Sequence, residues 1–266
     1  MSRRGIRSPD GHNRRADQER ADPSRSPRPV AGTSVTTFAL VPGAWHGAWC
    51  FERLAQALET LGHRVVTVDL PSDDPTATFD TYADVVVTAL DGDADEPIVV
   101  GHSLAGLTVP LVATRRPVQR IVYLCALVPI PGCTFVEQRD IDPDMLYPDY
   151  LEGMDVADAN GLRRWVDKEL ARQILYADCD AEDASTAIER LRPQAQTPYV
   201  KPCTLDVFPH TPSTYIVCSE DRLVNPDWSR RVAEERLGAD LVELPGSHSP
   251  FLSRPDDLAA VLHDCV

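Results

Sequence analysis

An apolar strand segment that leads directly into a turn of small residues constrains this chain more than any other stretch. Residues 98–106 are Ile-Val-Val-Gly-His-Ser-Leu-Ala-Gly, and a segment of helical character follows at once, from Leu107 to Arg115. Small residues let the backbone turn sharply, so the side chain of Ser103 can stand at the end of a strand. A serine in a strand–turn–helix unit is a candidate nucleophile. The alternative is an ordinary turn whose serine caps the helix.

Strand and helix patterns alternate on both sides of this turn. Short apolar, β-branched runs lie at 35–41, 63–70, 98–100, 119–128, 213–218 and 240–244. Amphipathic segments separate most of them, and the first such helix ends at Leu61 with Gly62 as its cap. The continuous apolar run at 63–70 predicts a strand that is buried on both faces. The alternation as a whole predicts a doubly wound, mostly parallel α/β sheet.

The alternation is interrupted between Pro129 and Pro212. This region contains many of the prolines, several acidic residues and two or three helical segments, of which 161–176 and 182–191 are the clearest. A long insertion after a central strand typically lies over the carboxyl ends of the strands, where loops carry function. We therefore predict a helical cap at about residues 129–212.

Charge and composition limit the kinds of molecule that this protein can bind. Residues 1–34 hold 8 Arg and only 4 acidic residues among Ser, Pro and Gly, which predicts a disordered basic tail. We interpret this tail as a solvated segment or as an upstream extension of the coding sequence, and the alternative is a functional basic arm. The remaining residues carry 18 basic and 37 acidic groups, and so acidic a surface repels phosphate backbones. We therefore expect a small-molecule substrate and no nucleic-acid partner.

The cysteines and the apolar runs indicate the compartment. The 7 cysteines are scattered without a Cys-x-x-Cys pair, which favours neither a disulfide framework nor a zinc site. No apolar run approaches the roughly 18 residues of a membrane span, and the N-terminus lacks the apolar core of a secretory signal. We expect a cytoplasmic protein, monomeric or homodimeric, without a metal and without membrane contact.

A serine nucleophile needs a base that takes its proton and an acid that orients the base. In an open parallel sheet, both must come from loops at the carboxyl ends of strands, the edge where Ser103 lies. Asp221 follows one late strand by three residues, and His248 follows the last strand by four. We therefore predict a catalytic triad of Ser103, Asp221 and His248. The neighbouring Glu220 is the competing carboxylate, and a plain surface-loop histidine is the alternative for His248.

The tetrahedral intermediate of acyl transfer requires two backbone N–H donors. Leu104, directly after the nucleophile, is one candidate. The turn after the first strand supplies the other, which we assign to Ala44. His46 and His102 also lie close to the site in sequence, and we assign them positioning or packing roles because neither follows a late strand.

With these residues placed, the chain resembles the α/β-hydrolase superfamily, in the branch of plant methylesterases, hydroxynitrile lyases and their bacterial relatives. The resemblance covers about residues 36–266. Its carriers are the segments FALVPGAWHGAW (38–49), LGHRVVTVDLP (61–71), GHSLAG (101–106), YIVCSED (215–221) and GSHSPF (246–251). The order nucleophile, acid, base along the chain is that of the superfamily. The resemblance implies one α/β-hydrolase domain over residues 35–266, with the helical cap inserted after a central strand.

The predicted triad and the resemblance together indicate a cofactor-free serine hydrolase that cleaves carboxylic esters of small, apolar or aromatic substrates through an acyl-enzyme. One alternative is a hydroxynitrile-lyase-like enzyme, and another is a receptor-like homologue that binds a ligand without turnover. The plant lyases resemble this chain but use a Thr in the first-strand loop and a Lys after the catalytic His, where this chain has Gly43 and Ser249. Two other departures are Pro42, where a His-Gly pair is usual, and Ala105, which replaces the second elbow glycine.

We expect the cap and the adjoining loops to supply a mainly apolar substrate pocket. For Phe135, Tyr147, Trp165 and Tyr176, packing within the cap core is the alternative. The candidate lining residues are Trp45, Phe135, Tyr147, Trp165, Tyr176 and Phe251.

Overall fold

Six parallel strands form the centre of the computed structural model, which describes residues 35–92 and 95–266. The six are β1 (Thr37–Val41), β2 (Arg64–Thr67), β3 (Ile98–His102), β4 (Arg120–Leu124), β7 (Ser213–Cys218) and β8 (Asp240–Leu244), and a separate antiparallel pair consists of β5 (Leu162–Arg163) and β6 (Gln194–Ala195). The order across the main sheet is β2-β1-β3-β4-β7-β8. The predicted doubly wound, mostly parallel sheet is therefore confirmed. The predicted tail at 1–34 lies outside the described residues.

Helices pack on both faces of this sheet, and three more helices, the fourth to sixth in chain order, lie in the segment between β4 and β7. The described helices are α1 (Glu52–Thr60), α2 (Phe79–Ala89), α3 (Val109–Arg115), α4 (Phe135–Ile141), α5 (Lys168–Leu175), α6 (Ala181–Glu189), α7 (Pro226–Val232), α8 (Pro250–Ser253) and α9 (Pro255–His263). Alternate residues of a strand point to opposite faces. In β3, Ile98 and Val100 are buried in one apolar cluster with α1 and α9, whereas Val99 is buried in the other with α2, α3 and α7. Central strands thus need apolar residues at every position, which explains their unbroken apolar runs.

The second strand departs from its prediction. β2 lies at the edge of the sheet beside β1, and its four residues are exposed or half-buried. Val65 packs at the rim of one apolar cluster and Val66 at the rim of the other. The prediction of burial on both faces is wrong, because the order of strands depends on pairing between distant segments, which the apolar run itself does not encode.

The chain between β4 and β7, called the cap below, contains α4, α5, α6 and the pair β5–β6, with 3₁₀ turns at Pro148–Gly153 and Thr197–Val200. Helix α6 agrees with the prediction for 182–191. The helix predicted for 161–176 begins only at Lys168. The cause lies in the preceding turn, where Asp158 Oδ1 accepts the N–H groups of Asn160 and Leu162 and Gly161 has a φ of 74°. Side-chain hydrogen bonds of this kind compete with helix formation.

All 7 cysteines carry free thiols. Within residues 35–92 and 95–266, no helix has both the length and the apolar character needed to cross a bilayer.

Candidate active site

Ser103 lies at the sharp turn between β3 and a 3₁₀ helix, Ser103–Leu107. Its φ is 52°, in the left-handed region, which costs an L-residue roughly 1–2 kcal/mol. Close backbone packing holds this turn: a Cβ on Gly106 would overlap the carbonyl oxygen of Leu127, and the N–H of Leu127 donates to the carbonyl of Ser103 at 3.0 Å. Because position 106 makes the closest approach, the fold accommodates alanine at 105.

Asp221 and His248 meet at the same edge of the sheet. Asp221 lies in the loop after β7 and His248 in the loop after β8, and Nδ1–H of His248 donates to Oδ2 of Asp221 at 2.8 Å. The other carboxylate oxygen accepts the backbone N–H groups of Leu223 at 2.8 Å and Val224 at 3.1 Å. Both side chains of the pair are buried, at 1% and 3% exposure. The neighbouring Glu220 is exposed and has no such contact with the histidine.

His102, the residue before Ser103, connects the elbow to the histidine loop. Its Nε2–H donates to the carbonyl oxygen of His248 at 3.0 Å, and the two rings lie 4.7 Å apart between centroids. Burial lowers the pKa of His102 well below its ordinary value, with further lowering by His248 and His46. His102 is therefore neutral, and its positioning or packing role stays a prediction.

The loop after β1 passes directly against Ser103. A Cβ on Gly43 would lie 2.8 Å from the Cβ of Ser103, so only glycine permits this approach. The next residues, Ala44 and Trp45, line the same cavity as Ser103 and Leu104. The two residues assigned as oxyanion donors, Ala44 and Leu104, thus line the cavity that contains the serine.

A buried hydrogen-bond chain holds this loop in place. Nδ1–H of His46 donates to the carbonyl oxygen of Ala44 at 2.8 Å, and the hydroxyl of Tyr176 donates to Nε2 of His46 at 2.8 Å. Burial lowers the pKa of His46 to about 4, although its bond to Ala44 acts in the opposite direction. Because this ring is neutral at pH 7, each of its nitrogens has one role, one as donor and the other as acceptor.

A cavity extends from Ser103 beneath the cap, with an empty volume of about 640 Å³ that includes its open mouth. Ser103 itself is only 6% exposed. The apolar part of the lining includes Leu104, Leu127, Leu146, Leu151, Met154 and Leu223. A substrate would therefore bring its reacting group to Ser103 among aliphatic side chains.

Two of the six aromatic candidates, Trp45 and Phe135, line this cavity. The other four lie elsewhere. Trp165 packs edge-on behind Trp45, with ring centroids 5.6 Å apart, and Tyr147 is 40% exposed at a separate surface cleft.

Tyr176 and Phe251 are fully buried and also lie outside the cavity lining. Tyr176 bonds to His46, and Phe251 packs against the rings of Phe51 and His102. Neither ring lines the cavity. Each is buried in the core and contacts a residue of the loops or strand that carry the site.

The sequence patterns did not predict the polar part of the cavity lining. It consists of the cap residues Arg139, Arg163, Gln196, Tyr150 and Tyr199. The cap has no regular periodicity from which an inward face could be inferred, and a lone arginine in a sequence is normally solvated. In the part of the chain that the structure describes, no cluster of His, Cys, Asp or Glu side chains is arranged to hold a metal ion.

Known proteins share this architecture and about three residues in ten of the sequence. The sequence model of the alpha/beta hydrolase family matches residues 38–261. A pheophorbidase from Raphanus sativus is 30% identical over 254 residues, which cover 87% of this chain and 94% of the relative. Methylesterase 2 of Arabidopsis thaliana is 27% identical over 245 residues, which cover 84% of this chain and 92% of the relative. A pyrethroid hydrolase of Sphingobium wenxiniae is 27% identical over 247 residues, which cover 87% of this chain and 88% of the relative.

Solved structures agree with this fold. A pyrethroid hydrolase from Sphingobium faniae has a TM-score of 0.74 at 24% identity and covers 87% of this chain and 97% of its own. Polyneuridine aldehyde esterase has a TM-score of 0.75 at 20% identity and covers 86% of this chain and 98% of its own. Since these identities are low, the two structures speak for the fold alone, whereas the sequence relatives, which are esterases and hydrolases by name, support an ester hydrolase. The chain belongs to the alpha/beta hydrolase family, in the branch of the plant methylesterases and their bacterial relatives.

Proposed function

We propose that this chain is a cofactor-free carboxylic-ester hydrolase with Ser103 as nucleophile, His248 as base and Asp221 as the orienting acid. The observation that carries the proposal is the buried 2.8 Å hydrogen bond from Nδ1–H of His248 to Asp221, at the sheet edge where Ser103 occupies a strained turn. A carboxylate on Nδ1 selects the tautomer whose Nε2 lone pair is free to accept a proton.

In the proposed reaction, Oγ of Ser103 attacks the acyl carbon while Nε2 of His248 takes the hydroxyl proton. The backbone N–H groups of Ala44 and Leu104 bind the oxyanion that forms. The carbon–oxygen bond to the alcohol then breaks, and His248 gives its proton to the leaving alcohol. Water, deprotonated by His248, attacks the acyl-serine, and the proton returns to Ser103 as the acid leaves. One ester and one water thus yield one acid and one alcohol.

The hydrogen bonds behind the oxyanion loop support this mechanism. Oxyanion donors are effective only when their direction is fixed before the charge develops. His46 bonds to the carbonyl of Ala44, and Tyr176 holds the His46 ring. We therefore propose that His46 and Tyr176 are positioning residues for the Ala44 donor.

The substrate should be small, with an apolar or aromatic group close to the reacting carbonyl. Aliphatic side chains and the rings of Trp45 and Phe135 surround the serine, and burial of such a group gains roughly 25 cal/mol per Å² of apolar surface. The esterases and hydrolases among the sequence relatives support the same class of reaction.

Neither alternative function has comparable support. Where the plant lyases have a Thr in the first-strand loop and a Lys after the catalytic His, this chain has Gly43 and Ser249. Ser249 is fully buried and uncharged, so no cation follows His248 to stabilise departing cyanide. A receptor-like homologue would not need the hydrogen-bonded pair of His248 and Asp221. We therefore place ester hydrolysis ahead of both.

Turnover by the wild type and by Ser103→Ala tests the proposal, with the exposed Ser185→Ala on α6 as matched control. With p-nitrophenyl butyrate, we expect the first variant to lose roughly 10³-fold or more in kcat and the control to lose nothing, while circular dichroism shows both folded. A Ser103→Ala enzyme that keeps a tenth of the turnover would overturn the nucleophile assignment. The same proteins are incubated with mandelonitrile in mildly acidic buffer, and release of benzaldehyde well above the Ser103→Ala rate would favour the lyase instead.

A further inference from the structure

Two arginines line the cavity that contains Ser103. Arg139 comes from α4 and Arg163 from β5, both in the cap. None of the residues that line this cavity is acidic. The chain as a whole has a formal net charge of −15, so a cavity with two cations and no anion runs against its general composition.

Neither arginine has a carboxylate within ion-pair distance among residues 35–92 and 95–266. Nearby cap and domain arginines do, since Arg164 pairs with Asp158 at 3.2 Å and Arg236 pairs with Asp142 at 2.8 Å. Arg163 is half-buried, and its Nε–H donates to the carbonyl oxygen of Asp155 at 2.9 Å. That bond anchors the guanidinium but leaves its charge uncompensated.

The two cations share one cavity with the Tyr150 hydroxyl. Burial raises the pKa of that hydroxyl, and the charges of Arg139 and Arg163 act in the opposite direction. Gln196 and Tyr199 line the same cavity. The cavity that contains Ser103 therefore combines aliphatic side chains with two cations and further polar groups.

Arginine is the side chain best suited to bind a carboxylate, because its planar fork donates two parallel hydrogen bonds that a lysine cannot reproduce. Arg163 is partly removed from water and lacks an anion, and a bound anion would relieve the resulting desolvation cost, whereas Arg139 is exposed. Because the two guanidinium groups line one cavity, they can together bind one negatively charged group.

We propose that the substrate of this hydrolase is an ester that also carries a carboxylate, with the reacting carbonyl at Ser103 and the carboxylate on Arg139 and Arg163. This inference rests on the proposed ester hydrolysis. It adds an anionic group, recognised by the cap, to the apolar group next to the serine.

Two pairs of esters test the proposal, each pair differing only in charge. The first is 4-carboxyphenyl butyrate with 4-carbamoylphenyl butyrate, and the second is monomethyl terephthalate with methyl 4-carbamoylbenzoate, so that the charge lies on the alcohol side or on the acyl side. In at least one pair, we expect kcat/KM to favour the carboxylate by about tenfold or more, the size of one charge-assisted hydrogen bond. Raising NaCl from about 0.05 to 0.5 M should reduce that preference, because salt screens partly exposed charges.

Substitution of each arginine tests which side chain causes the preference for the carboxylate ester. Arg139→Gln and Arg163→Gln should each lower the ratio of carboxylate to carboxamide kcat/KM by about tenfold. Arg172→Gln, which removes the same charge from the surface of α5 in the cap, should leave the ratio unchanged. An unchanged ratio in both cavity variants would overturn the inference, as would equal kcat/KM for both members of both pairs.

A binding measurement separates this inference from the proposed function. Calorimetric titration of Ser103→Ala with each ester needs no turnover. Tighter binding of the carboxylate, lost in Ser103→Ala/Arg139→Gln, supports the anion site even if none of these esters is hydrolysed. Equal affinity for carboxylate and carboxamide in both pairs overturns the anion site even if all of them are hydrolysed.

Discussion

At the scale of single residues, the carboxylate of Asp221 holds three hydrogen bonds, to His248 and to the N–H groups of Leu223 and Val224. In Asp221→Asn, the amide oxygen must keep accepting the backbone N–H groups, so its NH₂ faces Nδ1 of His248. That contact favours the tautomer protonated on Nε2, which cannot take the serine proton. We expect kcat for a p-nitrophenyl ester to fall roughly 10²-fold or more, whereas Glu220→Gln, an exposed neighbour, should stay within about twofold. The opposite ranking in steady-state assays would mean that Glu220 is the orienting acid.

At the scale of elements, the elbow depends on one close approach between its 3₁₀ helix and the segment that follows β4. A Cβ on Gly106 would overlap the carbonyl oxygen of Leu127, which is backbone and cannot rotate away. Gly106→Ala should therefore lower the free energy of unfolding by about 1–3 kcal/mol, the usual cost of overpacking, and displace Ser103. Ala105→Gly, one position away, is the matched control and should cost about 1 kcal/mol or less. Urea unfolding of both variants measures this difference, and equal losses would contradict the role of the close approach.

At the scale of the whole molecule, buried neutral histidines couple stability to pH. Burial lowers the pKa of His46 to about 4, whereas in an unfolded chain it is near 6.5. Between these values the unfolded chain binds a proton that the folded chain does not, so the free energy of unfolding falls as pH decreases. By pH 5 the loss from His46 alone is about 2 kcal/mol relative to pH 7.5. His102 and His63, whose pKa values are also lowered, chiefly by burial, act in the same direction.

His46→Gln isolates the share of His46 in this pH dependence. Its amide can still donate to Ala44 and accept from Tyr176, while the titrating group is gone. Urea unfolding at pH 7.5 and pH 5 should show a decrease that is smaller by about 2 kcal/mol in the variant than in the wild type. An identical decrease in the two proteins would show that His46 does not titrate on unfolding.

Local sequence patterns are sufficient for much of this fold. The bounds of β3, β7 and β8 and of α3, and the end of α1, are predicted to within a few residues, because central strands and amphipathic helices have distinct periodicities. The loops after β7 and β8 follow from the same pattern, and they bring Asp221 and His248 together as predicted. The edge position of β2 does not follow from it, because an edge strand and a central strand can share the same short apolar run.

The parallel sheet, the elbow at Ser103 and the edge at which its candidate partners lie can therefore be predicted without the structure. Each of these depends on residues close in the chain or on the shared direction of parallel strands. Which side chains line the cavity depends on three-dimensional packing, which places Tyr176 against His46 of the loop after β1 and places Arg139 and Arg163 in the lining of the cavity that contains Ser103. The reason is physical, since contacts within an irregular cap join segments far apart in the chain and leave no periodic pattern in the sequence.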